Sequence, residues 1–214
     1  MQYRILSVVV CLAVLLGLSG CAKESEYPQG YEQFKAVVGD TREESLRKLK
    51  LEVADLTDEG QYTYLLPGTY EFCGYAFEVR LVYDSLLDRL TKIKYSILVD
   101  DISGVPALKE KMIGLYGTPG NDSFQEEYVN RLAEKKKGTV TMAWSMYRFT
   151  EEHHPEFVRC LKKYAENGSK QMDYFWNAAL GCNYSEDLEK YNILMMFYLG
   201  PDNTTSWQPG QPRG

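Results

Sequence analysis

The chain is expected to form an α+β domain, an antiparallel sheet of about four or five strands with helices packed on it and a helical-hairpin insertion. Three observations carry this expectation. Residues 73–83, 93–99 and 139–146 alternate apolar and polar side chains with a period of two, the mark of strands with one buried face. Residues 103–116, 124–132 and 155–165 repeat apolar side chains at helical spacing. The connections between neighbouring runs are short and local, which favours hairpins over parallel crossovers.

The first twenty residues stand apart. Met1-Gln2-Tyr3-Arg4 carries one positive charge, Ile5 to Leu18 is almost purely apolar, and Ser19-Gly20 are small. That is the layout of a secretory signal peptide. The apolar run falls short of the roughly 20 residues a membrane span needs. Leu18-Ser19-Gly20-Cys21 also resembles a bacterial lipobox, in which the cysteine thiol attacks a lipid donor and small residues admit the peptidase. The resemblance implies that Cys21 is acylated and becomes the first residue. It places the protein in the bacterial cell envelope, outside the cytoplasm and anchored to the membrane by lipid. Two or three acyl chains, at about 0.8 kcal/mol per buried methylene, hold a protein stably where one chain does not. The polar segment from Ala22 to Gly30 reads as a tether, residues 31–200 as a single domain and residues 201–214, rich in Pro, Gly and Gln, as a disordered tail.

Within the domain, Thr41 and Glu44 have capping-box spacing and start a helix whose stripe is Leu46 and Leu49. Cys73, Tyr75, Phe77, Val79, Leu81 and Tyr83 form the apolar side of a strand. After Asp84-Ser85-Leu86-Leu87-Asp88, a second strand places Ile93, Tyr95, Ile97 and Val99 on one side and Lys92, Lys94 and Ser96 on the other. Val105, Leu108, Met112 and Leu115 stripe a helix stopped by Gly117-Thr118-Pro119-Gly120. Phe124, Tyr128, Val129 and Leu132 mark a short helix, and Val140, Met142, Trp144 and Met146 a third strand. Pro155 opens a helix bearing Phe157, Val158 and Leu161. Met172, Phe175, Trp176, Ala179 and Leu180 read as its partner, completing the inserted hairpin. Tyr191 to Leu199 is apolar on both sides, which suits a central or doubly covered strand.

The order of a helix starting Gly39-Asp40-Thr41-Arg42-Glu43-Glu44, a hairpin, a helix ending Leu115-Tyr116-Gly117-Thr118-Pro119 and a strand bearing Trp144 resembles small bacterial envelope lipoproteins. These are the SmpA/OmlA-type and β-lactamase-inhibitor-protein-like families. The resemblance spans residues 36–149 and implies a compact α+β unit that binds other proteins without catalytic residues. The insertion at 155–182 departs from that pattern.

Composition narrows the function classes. The formal charge is −6, and losing residues 1–20, with Arg4 as their one charged side chain, makes it −7. An acidic chain argues against nucleic acid, which requires clustered Lys and Arg. Cys73, Cys160 and Cys182 remain beyond the leader and Cys21. An odd number excludes a full disulfide framework. Cys160–Cys182 is the pair the helical hairpin would bring together, with free buried thiols as the alternative. Both histidines fall in Glu151-Glu152-His153-His154-Pro155-Glu156, the one weak metal candidate. Adjacent residues project in different directions and the i, i+4 spacing of a helical metal site is missing, so the segment reads as a strand-to-helix turn. No Gly-x-Ser-x-Gly elbow and no phosphate loop occurs, and no cofactor is expected. The chain holds 17 tyrosines, residues that give large contact area at low entropic cost, and Tyr62, Tyr64, Tyr70 and Trp207 are the candidates for a recognition surface. The reading is a lipid-anchored, non-catalytic protein-interaction or scaffold module, anchored to the membrane through Cys21 and binding a protein partner. The alternative is a module that binds a small molecule, glycan or peptide.

Overall fold

The computed structural model describes residues 27–166 and 174–200, and within these the α+β architecture holds. Five helices are formed: α1 (Tyr31–Lys35), α2 (Arg42–Leu49), α3 (Val105–Tyr116), α4 (Glu126–Lys135) and α5 (Pro155–Glu166). The strands are β1 (Thr57–Gly60), β2 (Thr63–Leu65), β3 (Tyr70–Phe72), β4 (Tyr75–Asp84), β5 (Arg89–Val99), β6 (Asn121–Asp122), β7 (Thr139–Arg148), β8 (Phe175–Ser185) and β9 (Lys190–Gly200). They make one antiparallel sheet in the order β1-β2-β4-β5-β9-β8-β7-β6, with β3 pairing β4. The expected four or five strands are therefore nine. Of the additional strands, β1, β2, β3 and β6 are four residues or shorter, and every residue of β1 and β6 is exposed, so no hydrophobic period announces them.

The sheet order is a palindrome of two halves. Strands β1, β2, β4 and β5 come from the first half and β6 to β9 from the second, meeting where β5 pairs with β9. Each half ends in a long hairpin closed by a four-residue loop whose last residue is left-handed, Asp88 at φ 48° and Glu189 at φ 51°.

All the helices pack on one face. Thr41 caps α2 as its spacing predicts, its hydroxyl accepting from the Glu44 N–H at 3.2 Å while the Thr41 N–H donates to the Glu44 carboxylate at 3.1 Å. Behind that cap, Ser45 and Tyr83 share a buried hydroxyl–hydroxyl bond of 2.6 Å that pins α2 to β4. The Trp144 indole donates to the Gly117 carbonyl at 2.8 Å, and the Tyr191 hydroxyl to the Ala133 carbonyl at 3.0 Å, fixing the ends of α3 and α4 over β7 and β9. In the middle Tyr31 of α1 rests on Phe197, centroids 4.3 Å apart, with Tyr95 at 5.9 Å and Tyr116 at 6.2 Å from the same ring. Edge-on aromatic contacts of this kind add about 0.5–1.5 kcal/mol each beyond the area they bury.

The helical-hairpin insertion is corrected. Its first arm is α5, but Phe175 to Leu180 lie in β8, which pairs with β9 over eleven residues. Trp176 to Leu180 are buried on both sides, so the run lacks the alternation of a half-covered strand and mimics helical spacing. Met172 lies outside the described residues. Tyr191 to Leu199 is central, as expected, with Tyr191, Ile193, Met195 and Phe197 buried and the alternate side chains half-buried. Before α1, Tyr27 stacks on Tyr31 at 5.1 Å and Pro28 is buried.

Cys73 does not belong to the strand face. With Gly74 it forms the two-residue turn between the paired residues Phe72 and Tyr75, at φ 50° and 77°. Positive φ at both central positions is the requirement of a type I′ turn, which Asn-Gly meets best. Replacing Cys73 with Asn is expected to raise unfolding stability by about 1 kcal/mol, the order of the left-handed penalty for an ordinary side chain. Urea denaturation of the two proteins measures it.

Candidate functional site

One side of the sheet carries the helices; on the other, the side chains of β4, β5 and β9 are half-buried or exposed, while Asn177 and Ala179 of β8 are buried. The period of two assigns every second side chain to that open face. Register lines them up in rows. Leu65, Arg80, Lys94, Met196, Ala179 and Ala143 run across β2, β4, β5, β9, β8 and β7. Beside them lie Val82, Lys92, Tyr198, Asn177 and Ser145, and on the other flank Glu78, Ser96, Leu194, Gly181 and Thr141. A Cβ built on Gly181 would meet the Thr141 methyl at 3.7 Å, so these two positions share the face.

The face has two chemically distinct halves. On β4 and β5 it is charged. The Arg80 guanidinium donates to both Glu59 carboxylate oxygens at 2.7 and 2.9 Å, pairs with Glu78 at 2.9 Å, and donates to the Ser96 hydroxyl at 2.8 Å. Both nearby acids are thus engaged by Arg80. Burial pushes the Lys94 ammonium below its usual pKa, and the charges of Lys92 and Arg80 add to the effect. On β7, β8 and β9 the face is neutral, with small residues beside the half-buried Leu194, Met196 and Tyr198. Leu98 on β5 is 45% exposed at its margin. An apolar strip next to closely spaced cationic side chains is poorly served by water alone.

The residues singled out from sequence are dispersed. Tyr64 is buried, its ring 5.8 Å from Tyr83 and its hydroxyl accepting from Arg42 at 2.6 Å, so it belongs to the core. Tyr70 packs on Phe34 at 5.6 Å on the helix side. Tyr62 alone of these stands out, 50% exposed at the tip of the β1–β2 turn with φ 60°, a strained backbone for a bulky side chain. Trp207, Leu18, Ser19, Gly20 and Cys21 lie outside the described residues. Sequence reasoning missed Leu194, Met196 and Tyr198, whose signal was the two-sided apolar pattern of the last strand.

Cys160 and Cys182 are not bonded to each other; with Cys73 they are free thiols, half-buried, buried and exposed respectively. The pairing needed two helices side by side, and Cys182 is instead on β8 facing the helices. Burial raises its thiol to about 12. Burial also raises the Cys73 thiol, against a smaller opposing effect of Lys111, so neither is a poised nucleophile.

The two histidines diverge. His153 is exposed and its Nδ1 lies 3.1 Å from the Thr150 hydroxyl, while the His154 ring packs on Phe149 at 4.7 Å and Tyr147 at 6.3 Å. With Glu32, Lys35, Ala36 and Arg148 they line a groove of about 560 Å³ on the helix side. Among the described residues no group of three or more metal-ligating side chains converges. Burial, and then the His153 charge, push the His154 pKa below its ordinary 6.5. The unfolded chain therefore binds a proton near pH 6.5 that the folded one refuses until lower pH, so stability is lost as pH falls below 6.5. His154→Gln is expected to unfold with a smaller decline between pH 7 and pH 5 than the unaltered protein, as read by thermal unfolding at the two values.

No protein-family profile, curated protein or solved structure matches this chain.

Proposed function

We propose that this protein is a lipid-anchored, non-catalytic interaction module of the bacterial envelope that docks a protein partner on the open face of its sheet. The observation that carries the reading is the placement of the half-exposed Leu194 and Met196 on a central strand, on the face opposite the helices. A strand in the middle of a sheet is normally spared apolar side chains toward water. The outward lysines beside the strip favour a partner that presents carboxylates there, since each such contact relieves the crowding of Lys92, Lys94 and Arg80. The leader ending at Cys21 and the resemblance of residues 36–149 to envelope lipoproteins support the location. Among the described residues no helix is long and apolar enough to cross a membrane.

The alternative, a module for a small molecule, glycan or peptide, draws on the groove beside His154 and a second of about 570 Å³ beside Cys73. Both open on the helix side, away from the apolar strip.

Photo-crosslinking residues placed in cells at Thr141 and Leu98 are expected to capture a discrete partner, and one placed at the exposed Glu127 of helix α4 is not. Adding Leu194→Arg should abolish capture without changing the circular dichroism spectrum, and Lys94→Glu should reduce it by about tenfold. Capture from Glu127 alone, or capture indifferent to both substitutions, would contradict the assignment.

A further inference from the structure

The groove beside His154 has a chemistry that docking on the sheet does not use. Two elements brought together by the fold supply its walls. One is the outer flank of α1, with Glu32, Lys35 and Ala36, and the other is the turn from β7 into α5, with His153 and His154. Tyr147 and Arg148 at the end of β7 complete the lining. Both walls are fixed by local contacts. The His154 N–H donates to the Thr150 carbonyl at 2.9 Å, which closes the turn. After α1 the chain passes so near α5 that a Cβ on Gly39 would lie 2.9 Å from the Phe157 ring. The groove measures about 560 Å³, within the roughly 300–1,000 Å³ of small-molecule pockets.

Flat apolar surface and an unmatched charge meet in this lining. The Tyr147 and His154 rings are nearly parallel, 17° apart, with centroids at 6.3 Å. Burial holds the His154 pKa below its ordinary 6.5, so at neutral pH its ring is an uncharged wall. The Lys35 ammonium lies 6.0 Å from the centre of the Tyr147 ring, and among the described residues no carboxylate pairs with it. Lys35 is half-buried, so this cation is only partly hydrated and lacks a counter-ion. We propose that the groove binds a small monocarboxylate with a flat aromatic body, the body resting on Tyr147 and Ala36 and the carboxylate meeting Lys35. Glu32, one turn earlier on α1, lines the same groove and repels a second negative charge, which favours a monoanion over a dianion such as a phosphomonoester. This site is separate from the sheet face and does not depend on acylation of Cys21, so it stands or falls apart from the interaction reading.

Isothermal titration calorimetry of the full chain near neutral pH tests this with three probes of one shape: 2-naphthoate, uncharged 2-naphthylmethanol and dianionic 2-naphthyl phosphate. The expected result is saturable one-to-one binding of naphthoate, with the alcohol and the phosphate each weaker by about tenfold. Lys35→Gln should remove the advantage of naphthoate over the alcohol and leave the affinity for the alcohol unchanged. Lys135→Gln, at an exposed lysine of α4, should change neither. Ala36→Trp fills the groove and should weaken all three probes. Circular dichroism checks the fold of each variant. If Lys35→Gln does not fold, raising the salt to about 1 M in the unaltered protein should erase the naphthoate advantage instead. Equal binding of naphthoate and the alcohol, an advantage that survives Lys35→Gln or high salt, or no saturable binding at millimolar concentration overturns the proposal. Phosphate binding as tight as naphthoate overturns the assignment of a monoanion.

Discussion

The pairing of β5 with β9 is the constraint on which the rest of the molecule depends. Eight residue pairs, from Lys92 with Tyr198 to Val99 with Tyr191, join two half-sheets that each begin and end within their own part of the chain. Because side chains alternate with a period of two, this one register assigns both faces at once. It turns Ile93, Tyr95, Ile193, Met195 and Phe197 toward the helices and Lys92, Lys94, Leu194, Met196 and Tyr198 away from them. A slip of one residue would drive two lysines into the core and expose Phe197, a cost of many kcal/mol by burial of unpaired charge alone. The aromatic cluster of Tyr31, Tyr95, Tyr116 and Phe197 closes over this seam and makes the register worth keeping.

The asymmetry of the sheet follows from that cluster. Tyr31 brings α1 to the centre, the Ser45–Tyr83 bond and the Trp144 and Tyr191 hydrogen bonds fix α2, α3 and α4 around it, and Phe157 packs α5 against Phe149 at 5.2 Å. Every one of these contacts lies on the Phe197 side. The other face is left with a charged half around Arg80 and an apolar half around Met196, the combination of steering charge and desolvatable surface that protein recognition uses.

Local features were legible in the sequence and long-range ones were not. The capping box of Thr41 and Glu44, the alternation of β4, β5 and β7 and the stripes of α3, α4 and α5 are all written in neighbouring residues, and the structure realises them. The polar edges β1 and β6 carry no hydrophobic period, so a tally of strands from periodicity falls short. β8 was read as a helix because Phe175, Trp176, Ala179 and Leu180 fit a helical stripe, and only pairing with β9 decides between the two forms. Tyr64 looked like a surface aromatic because burial against Tyr83 depends on a hairpin partner seventeen to twenty residues away. The open face escaped for a related reason. An apolar run on both sides of Tyr191–Leu199 signals a central strand, but whether a second layer covers it depends on where all five helices go.

Adjacent methionines on β9 provide the most direct test of the open face. Met195 is fully buried toward the helices and Met196 is half-exposed on the other side. Peptide mass spectrometry after brief peroxide treatment of the folded, full-length protein reads the two sulfurs separately. If the face is open, Met196 is converted to the sulfoxide much faster than Met195, and a bound partner slows it. Equal protection of both methionines in the partner-free protein would mean that the face is covered, and would contradict the account.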